Sequence, residues 1–365
     1  MAALVGTGLL LYVLWFNLTN NLRAQGIRTD FGFLDQPFGV QIPDAALSRG
    51  APVRQAFLVG IKNTLALVVV GLPLLTIIGV VVGVARLSTN WLAARAAALY
   101  VELFRNLPPL LIIVFVFRAL ILQLPPSRAP ITPFGWLVIS NLRITVPGFE
   151  ANQTFAVFRL VMTAALIGAA VVWWWRTRLS DRTGAPHHRW LWSLGLVVSV
   201  GAISFVLFDR PFGISRPTLD GRVVTGGFSG LGGFFAVLIA LVIYTASHVA
   251  EIVRGSLQAV PKGQTEAAHA LALSGFQRLR FVTLPQAMRI ALPPVINQYL
   301  NFTKNTSLAL AVGYAEITTL AFQSIGNGQP APQVILLLMS VYLFFSLAIS
   351  LAVNLLNRRL QVVTR

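Results

Sequence analysis

Of the 365 residues, 56% are hydrophobic and only 11% charged, at a mean hydropathy of +0.75, which leaves too little polar surface to enclose a soluble core. The chain therefore reads as a polytopic membrane protein. Its net charge of +17 would point a soluble protein toward nucleic acid, but the Lys and Arg residues stand mostly between long apolar runs, so they are assigned to membrane flanks and nucleic acid is excluded as a partner.

Crossing a hydrocarbon layer of about 30 Å takes roughly 20 apolar residues, and eight segments meet that need. The first covers residues 2–22. Its apolar stretch has no basic n-region and no A-x-A cleavage pattern, so a retained helix is expected rather than a signal peptide. Arg23 and Arg28 follow it and nothing basic precedes it, which runs against the positive-inside rule. The other segments cover residues 57–85, 99–122, 155–175, 190–208, 234–252, 290–312 and 334–356. Basic residues gather after the second, fourth, sixth and eighth segments: Arg86 and Arg95; Arg176, Arg178, Arg182 and Arg189; Arg254, Lys262, Arg278, Arg280 and Arg289; Arg358, Arg359 and Arg365. These loops are placed in the cytoplasm, and with an even number of helices both termini are expected there. The alternate connections, 30–44, 125–148 and 209–233, carry Pro, Gly and Asp in turn-forming runs, the last with Gly226-Gly227 and Gly232-Gly233.

Between the sixth and seventh segments lies one long cytoplasmic connection, residues 251–289, too polar to span. Pro261 and Gly263 interrupt it, 264–274 carries strong helix formers, and Gly275 stands where a helix C-terminus favours a left-handed residue, which predicts a short surface helix of roughly three turns. Ala267, Ala268, Ala270, Leu271 and Leu273 are apolar while Glu266 and His269 are polar. Small Ala side chains admit close approach, and Leu271, four residues beyond Ala267, supplies an anchor for a partner groove. The alternative is an amphipathic helix lying on the lipid surface.

Glu266-Ala267-Ala268, then Gly275, then Leu284-Pro285 resembles the EAA signature of permease subunits of bacterial ABC importers. The resemblance implies that this helix is a coupling helix docked on the ATP-binding subunit, with Glu266 as polar anchor, Ala267 and Ala268 for close packing, Leu271 buried in the cleft and Gly275 at the turn. The runs 101–108, with Glu102, Arg105 and Pro108, then 251–255 and 304–308 are similar to stretches of polar amino acid permeases. Together these patches cover most of residues 57–124 and 234–357. They imply an all-α fold: a type I ABC importer core of five helices within a bundle of about eight. Residues 1–56 would form a leading helix and external loop, 57–126 and 231–357 the core, 127–230 an insert with two extra helices, and 358–365 a cytoplasmic tail. The leading helix and the insert resemble the larger permease of general L-amino acid uptake systems, which pairs with a second, different permease. Implied partners are two ATPase subunits carrying ATP and Mg, that second permease, a periplasmic amino-acid-binding protein and an L-amino acid, all at the bacterial inner membrane.

Ionisable residues inside a span are functional candidates by default. Glu102 and Arg105, three apart, share a helix face and either pair with each other or serve a gate. Lys304 lies fourteen residues, about 21 Å, past Ile290 and should face protein or water. Asn301, Thr303, Asn305, Thr306 and Ser307 surround it with donors and acceptors suited to the carboxylate and ammonium of an amino acid, or to hydrogen bonds between helices. Glu316 and Arg118 are placed at outer ends, snorkelling or meeting a delivery protein, and Arg159 and Glu251 at helix ends.

No G-x-x-x-x-G-K-[ST] phosphate loop occurs, so neither ATP nor another cofactor is expected on this chain, and energy must come from a partner. Cysteine is absent, and His187, His188, His248 and His269 form no metal-binding spacing. An ion-coupled secondary transporter would need the same helices and midplane polar groups but gives the 251–289 loop no purpose. An intramembrane enzyme would need a converging constellation that the scattered acidic residues do not form.

Overall fold

The computed structural model describes residues 2–24, 26, 30–42, 47–184, 187–220 and 223–360. Arg28 and Arg365, part of the flanking-charge pattern, lie outside them.

Each of the eight expected segments falls on a helix or a bent pair of helices: α1 (Ala2–Ala24), α2 (Val53–Ala85), α3 (Trp91–Arg105) with α4 (Pro109–Phe115), α5 (Phe155–Thr183), α6 (Arg189–Leu207), α7 (Gly232–Gln258), α10 (Leu284–Asn305) with α11 (Ile317–Gly326), and α12 (Ala331–Leu360). The connection after α7 holds α8 (Lys262–Ala270) and α9 (Gly275–Arg278). Among the described residues five helices are long and apolar enough to cross a membrane, or seven if each bent pair is one span.

One span expected to be continuous is broken. The 99–122 segment bends by 103° between α3 and the helix beginning at Pro109. Pro108 and Pro109 cause this: neither offers a backbone N–H, and each disfavours helical backbone in the residue before it. Asn106 Nδ2 donates to the Glu102 carbonyl at 2.7 Å and closes the end of α3. The 290–312 segment ends its α-helical part at Asn305, tightens into a 3-10 turn at Thr306–Val312, and stops at Gly313 with φ +69°. A second helix, α11, which hydropathy alone did not separate, follows at 48°.

The chain divides into two compact units, one of residues 1–123 with 231–365 and one of 124–230. In the first, α7 is the buried centre, with Ala236, Val237, Leu241, Ala246 and Ala250 at 1% exposure or less. Glycines let α2 lie directly along it: a Cβ at Gly79 would sit 2.6 Å from Val249 Cγ1, and one at Gly83 2.7 Å from the Ala250 carbonyl. At Gly71 the ring of Phe302 from α10 takes the same kind of space. At the Val53 end of α2, Phe33, Phe38 and Leu47 of the preceding segment join Phe57, Ile317 and Leu320 in one apolar cluster.

The second unit adds short strands to the connections read as turn-forming runs. Beside α5 and α6 it holds β1 (Val138–Ile139), β2 (Arg143–Val146), β3 (Gly148–Ala151), β4 (Phe212–Ser215), β5 (Thr218–Asp220), β6 (Val223–Thr225) and β7 (Phe228–Leu231). Their sheet orders are β1-β2-β7, β3-β4 and β5-β6. Turn residues announced the reversals but not the pairing partners, which lie up to 84 residues apart, as in the Thr145–Ser229 hydroxyl contact at 3.0 Å. Gly226 and Gly227, with φ +73° and +71°, make the turn into β7. Gly232 and Gly233 instead open α7 as helical residues.

Candidate functional site

After α7 the chain leaves the bundle through Pro261, whose extended ψ of 135° starts α8. α8 covers Lys262–Ala270, shorter and earlier than expected. The left-handed residue that ends it is Ala272, φ +55°, and not Gly275. Gly275 is the first residue of α9, which Ser274 caps by accepting the Gln277 N–H while the Gln277 side chain accepts from Ser274 N. The serine and glutamine fix the helix start there, so the turn falls three residues before the glycine.

α8 has two faces. Ala268 is 2% exposed, packed against its own chain, whereas Glu266, Ala267 and Leu271 face outward, Leu271 at 75%. The expected pair of small packing residues is thus split: Ala267 is open to a partner and Ala268 is not. Gln286 of α10 donates to Gln264 Oε1 at 3.2 Å and Arg278 meets His269, which tie α8 to the following helices. A five-residue π-turn, Leu279–Thr283, carries exposed Phe281 into α10, where Leu284 is exposed and Pro285 occupies the first turn, a position that needs no N–H.

At the far end of α10 the polar residues expected around Lys304 also divide. Asn301 and Lys304 are exposed on one face, with Asn305 partly exposed. Thr303 and Thr306 are fully buried on the other, where Thr306 Oγ1 donates to the Thr303 carbonyl at 2.7 Å and Thr303 Oγ1 to the Tyr299 carbonyl at 2.9 Å. Ser307 Oγ donates back to the Lys304 carbonyl at 2.8 Å. The helical period forces this split: Asn301 and Lys304, three apart, share one face, and Thr303 and Thr306 share another. Glu102 and Arg105 are exposed on α3 before the 103° bend, not inside a straight span, and they form no ion pair with each other among the described residues.

A carboxylate read as lying at an outer end is buried. Glu316 is 0% exposed and caps α11: it accepts from Thr319 N at 2.7 Å, Thr318 N at 2.9 Å, Tyr342 OH at 3.1 Å and Thr319 Oγ1 at 3.2 Å. The same turn is held from α2 by Asn63 Nδ2 donating to the Ala315 carbonyl at 2.7 Å and by Ile317 N donating to Thr64 Oγ1 at 3.2 Å. The sequence signal was an acidic residue ahead of Thr318-Thr319, weak because Glu is not a favoured cap. Glu251 bridges Arg86, just past α2, and Arg254 of α7, the latter at 2.5 Å, while Arg254 also donates to Gln258 Oε1 at 2.6 Å. Among the described residues no group of three or more His, Cys, Asp or Glu is placed to hold a metal ion.

The profile of the family described as binding-protein-dependent transport system inner membrane component matches residues 190–362. The chain is 35% identical to the putative amino-acid ABC transporter permease protein YhdX of Escherichia coli strain K12, over 96% of this chain and 90% of that protein. It is 34% identical to the general L-amino acid transport system permease protein AapQ of Rhizobium johnstonii, over 97% and 90% of the two chains. It is also 34% identical to the glutamate/glutamine/aspartate/asparagine transport system permease protein BztB of Rhodobacter capsulatus, over 94% and 88%. Alignments of this extent run through the second unit as well as the helices on either side of it. A multi-helix membrane chain that shares its whole length with these relatives belongs to the binding-protein-dependent transport system inner membrane components, among the permeases of amino-acid ABC transporters.

Proposed function

We propose that this chain is the membrane-spanning permease subunit of an ATP-driven importer of L-amino acids, energised by a separate ATPase seated on α8. The observation that carries the reading is α8 itself: a short helix outside the apolar bundle, tied to α10 and presenting Glu266, Ala267 and Leu271 outward. A compact apolar face of this kind suits a helix seated in a partner's groove. Leu271 fills the groove, Ala267 admits close approach, Glu266 anchors the helix by polar contacts, and the 275–285 connection with Gly275, Leu284 and Pro285 carries its displacement into α10. Two ATPase subunits, holding ATP and Mg, close on nucleotide and move the coupling helices of two permeases, which alternates access to the path.

Asn301, Lys304 and Asn305 offer a cation and amide groups on the open face of α10, suited to the carboxylate of an amino acid. An ammonium inside a membrane needs water or a polar partner, and a second, related permease across that face would enclose it. Thr306 and Ser307 support the helix end, and Glu102 and Arg105, at the bend of α3, serve as gate residues. The 127–230 region is an insertion into a five-helix core, and the basic loops place both termini in the cytoplasm. A periplasmic binding protein delivers the substrate on the opposite side.

The test is reconstitution of the chain with its co-purified subunits in proteoliposomes. Uptake of labelled L-amino acids should require ATP and persist with ion gradients collapsed. Gradient-driven uptake by the chain alone would overturn the proposal in favour of a secondary transporter.

A further inference from the structure

Five of the eight tryptophans stand in one stretch: Trp173, Trp174 and Trp175 near the end of α5, and Trp190 and Trp192 at the start of α6. The two helices form an antiparallel hairpin whose other end is fixed by Thr154 Oγ1 donating to the Phe208 carbonyl at 2.8 Å and by Phe155 and Phe158 packed on Phe212. From Phe155 to Trp173 the α5 axis rises about 27 Å, close to the thickness of a bilayer's hydrocarbon layer. The tryptophans therefore lie at one membrane boundary, with Trp173 and Trp190 in edge contact at 4.2 Å between centroids.

Beyond that layer α5 continues for three more turns, and Arg176, Arg178, Arg182 and Arg189 all fall at or past it. Three of these guanidinium groups lie over indole rings. Arg178 lies 4.0 Å over Trp174, Arg176 4.3 Å over Trp192, and Arg189 5.1 Å over Trp173. Arg176 also donates to the His187 carbonyl at 3.1 Å and Arg189 to Thr177 Oγ1 at 3.5 Å. Asp181 is the lone carboxylate between residues 173 and 192, and none of the four arginines forms an ion pair among the described residues. Stacking on indole leaves the N–H edges of a guanidinium free for the paired hydrogen bonds that phosphate oxygens accept.

We propose that this end of the α5–α6 hairpin is a binding site for the phosphate headgroups of anionic phospholipids. The site would anchor the hairpin in one leaflet, with the indoles buried among acyl chains beside the glycerol backbone and the arginines on the phosphates. The proposal rests on the reading of α5 and α6 as membrane spans, and its test needs no transport, so the two fail separately.

Full-length protein in phosphatidylcholine nanodiscs is mixed with a minor fraction of acyl-brominated phosphatidylglycerol, or with the same fraction of acyl-brominated phosphatidylcholine, and tryptophan emission is read. Brominated phosphatidylglycerol should quench several-fold more effectively. The preference should fall stepwise along the series Arg178→Gln, Arg182→Gln, Arg189→Gln and be lost when all three are replaced. Equal quenching by the two lipids in the unmodified protein overturns the proposal with no variant needed. So does a preference that survives all three substitutions. Displacement of the quenching lipid by free inorganic phosphate would reassign the site to a soluble anion and reject the lipid.

Discussion

Ala272 carries a backbone conformation that costs an L-residue with a side chain about 1 kcal/mol, and it does so where the chain turns from α8 toward α9. Replacing it by Gly should therefore raise the melting temperature of the detergent-solubilised protein, by up to about 1 kcal/mol in stability, whereas Ala272→Val should lower it. Gly275, in contrast, has open space around the position of a Cβ and no left-handed backbone. Gly275→Ala should leave stability and uptake within about 0.5 kcal/mol and experimental error respectively. Strong loss in Gly275→Ala would return the turn to the glycine. Glu316 is the other residue whose role depends on its neighbours, since its carboxylate gathers two backbone N–H groups and two hydroxyls from α11 and α12. Glu316→Ala should cost about 3 kcal/mol in thermal or denaturant unfolding, and Glu316→Gln clearly less, because Gln keeps one acceptor oxygen. Equal losses for the two variants would show that the hydrogen bonds are not what holds the α10–α11 break.

The two faces of α8 allow folding and the proposed partner binding to be tested separately. Leu271→Asp places a charge on the outward face, where nothing in the chain packs against it, so the melting temperature should stay unchanged while co-purification of the ATPase falls at least about tenfold. Ala268→Leu fills space already occupied by the chain itself and should destabilise the protein by about 1–3 kcal/mol. If Ala268→Leu leaves stability intact and alone abolishes ATPase binding, the assignment of faces is reversed. Helical periodicity made such an apolar surface visible in 264–274, but not which of two adjacent alanines would be covered. That depends on how α9 and the π-turn fold back on α8, which the composition of the stretch does not show.

For the whole molecule, α2 and α7 are the long axis of the first unit, joined by glycine-mediated contact through the apolar layer and by Glu251 between Arg86 and Arg254 at the end nearest α8. α7 leads into α8 a short way past that bridge, so under the proposed function the bridge lies on the route from α8 into the bundle. Glu251→Gln removes the charge that Arg86 and Arg254 share. The expected outcome is ATPase binding that is retained with uptake that falls several-fold, read as ATP hydrolysed per amino acid transported; a normal ratio would show the bridge to be structural only. The sequence by itself determined the membrane class, the positions of all eight apolar segments, the exposed EAA connection and the family resemblance, because each is written in local composition, period or spacing. Tertiary structure decided which side of α10 Thr303 and Thr306 occupy, which loops pair as strands, and that Glu316 is enclosed and Glu251 bridged to Arg86. Those outcomes are set by partners brought together from distant parts of the chain, whose packing and hydrogen bonds outweigh the local preferences that a single sequence displays.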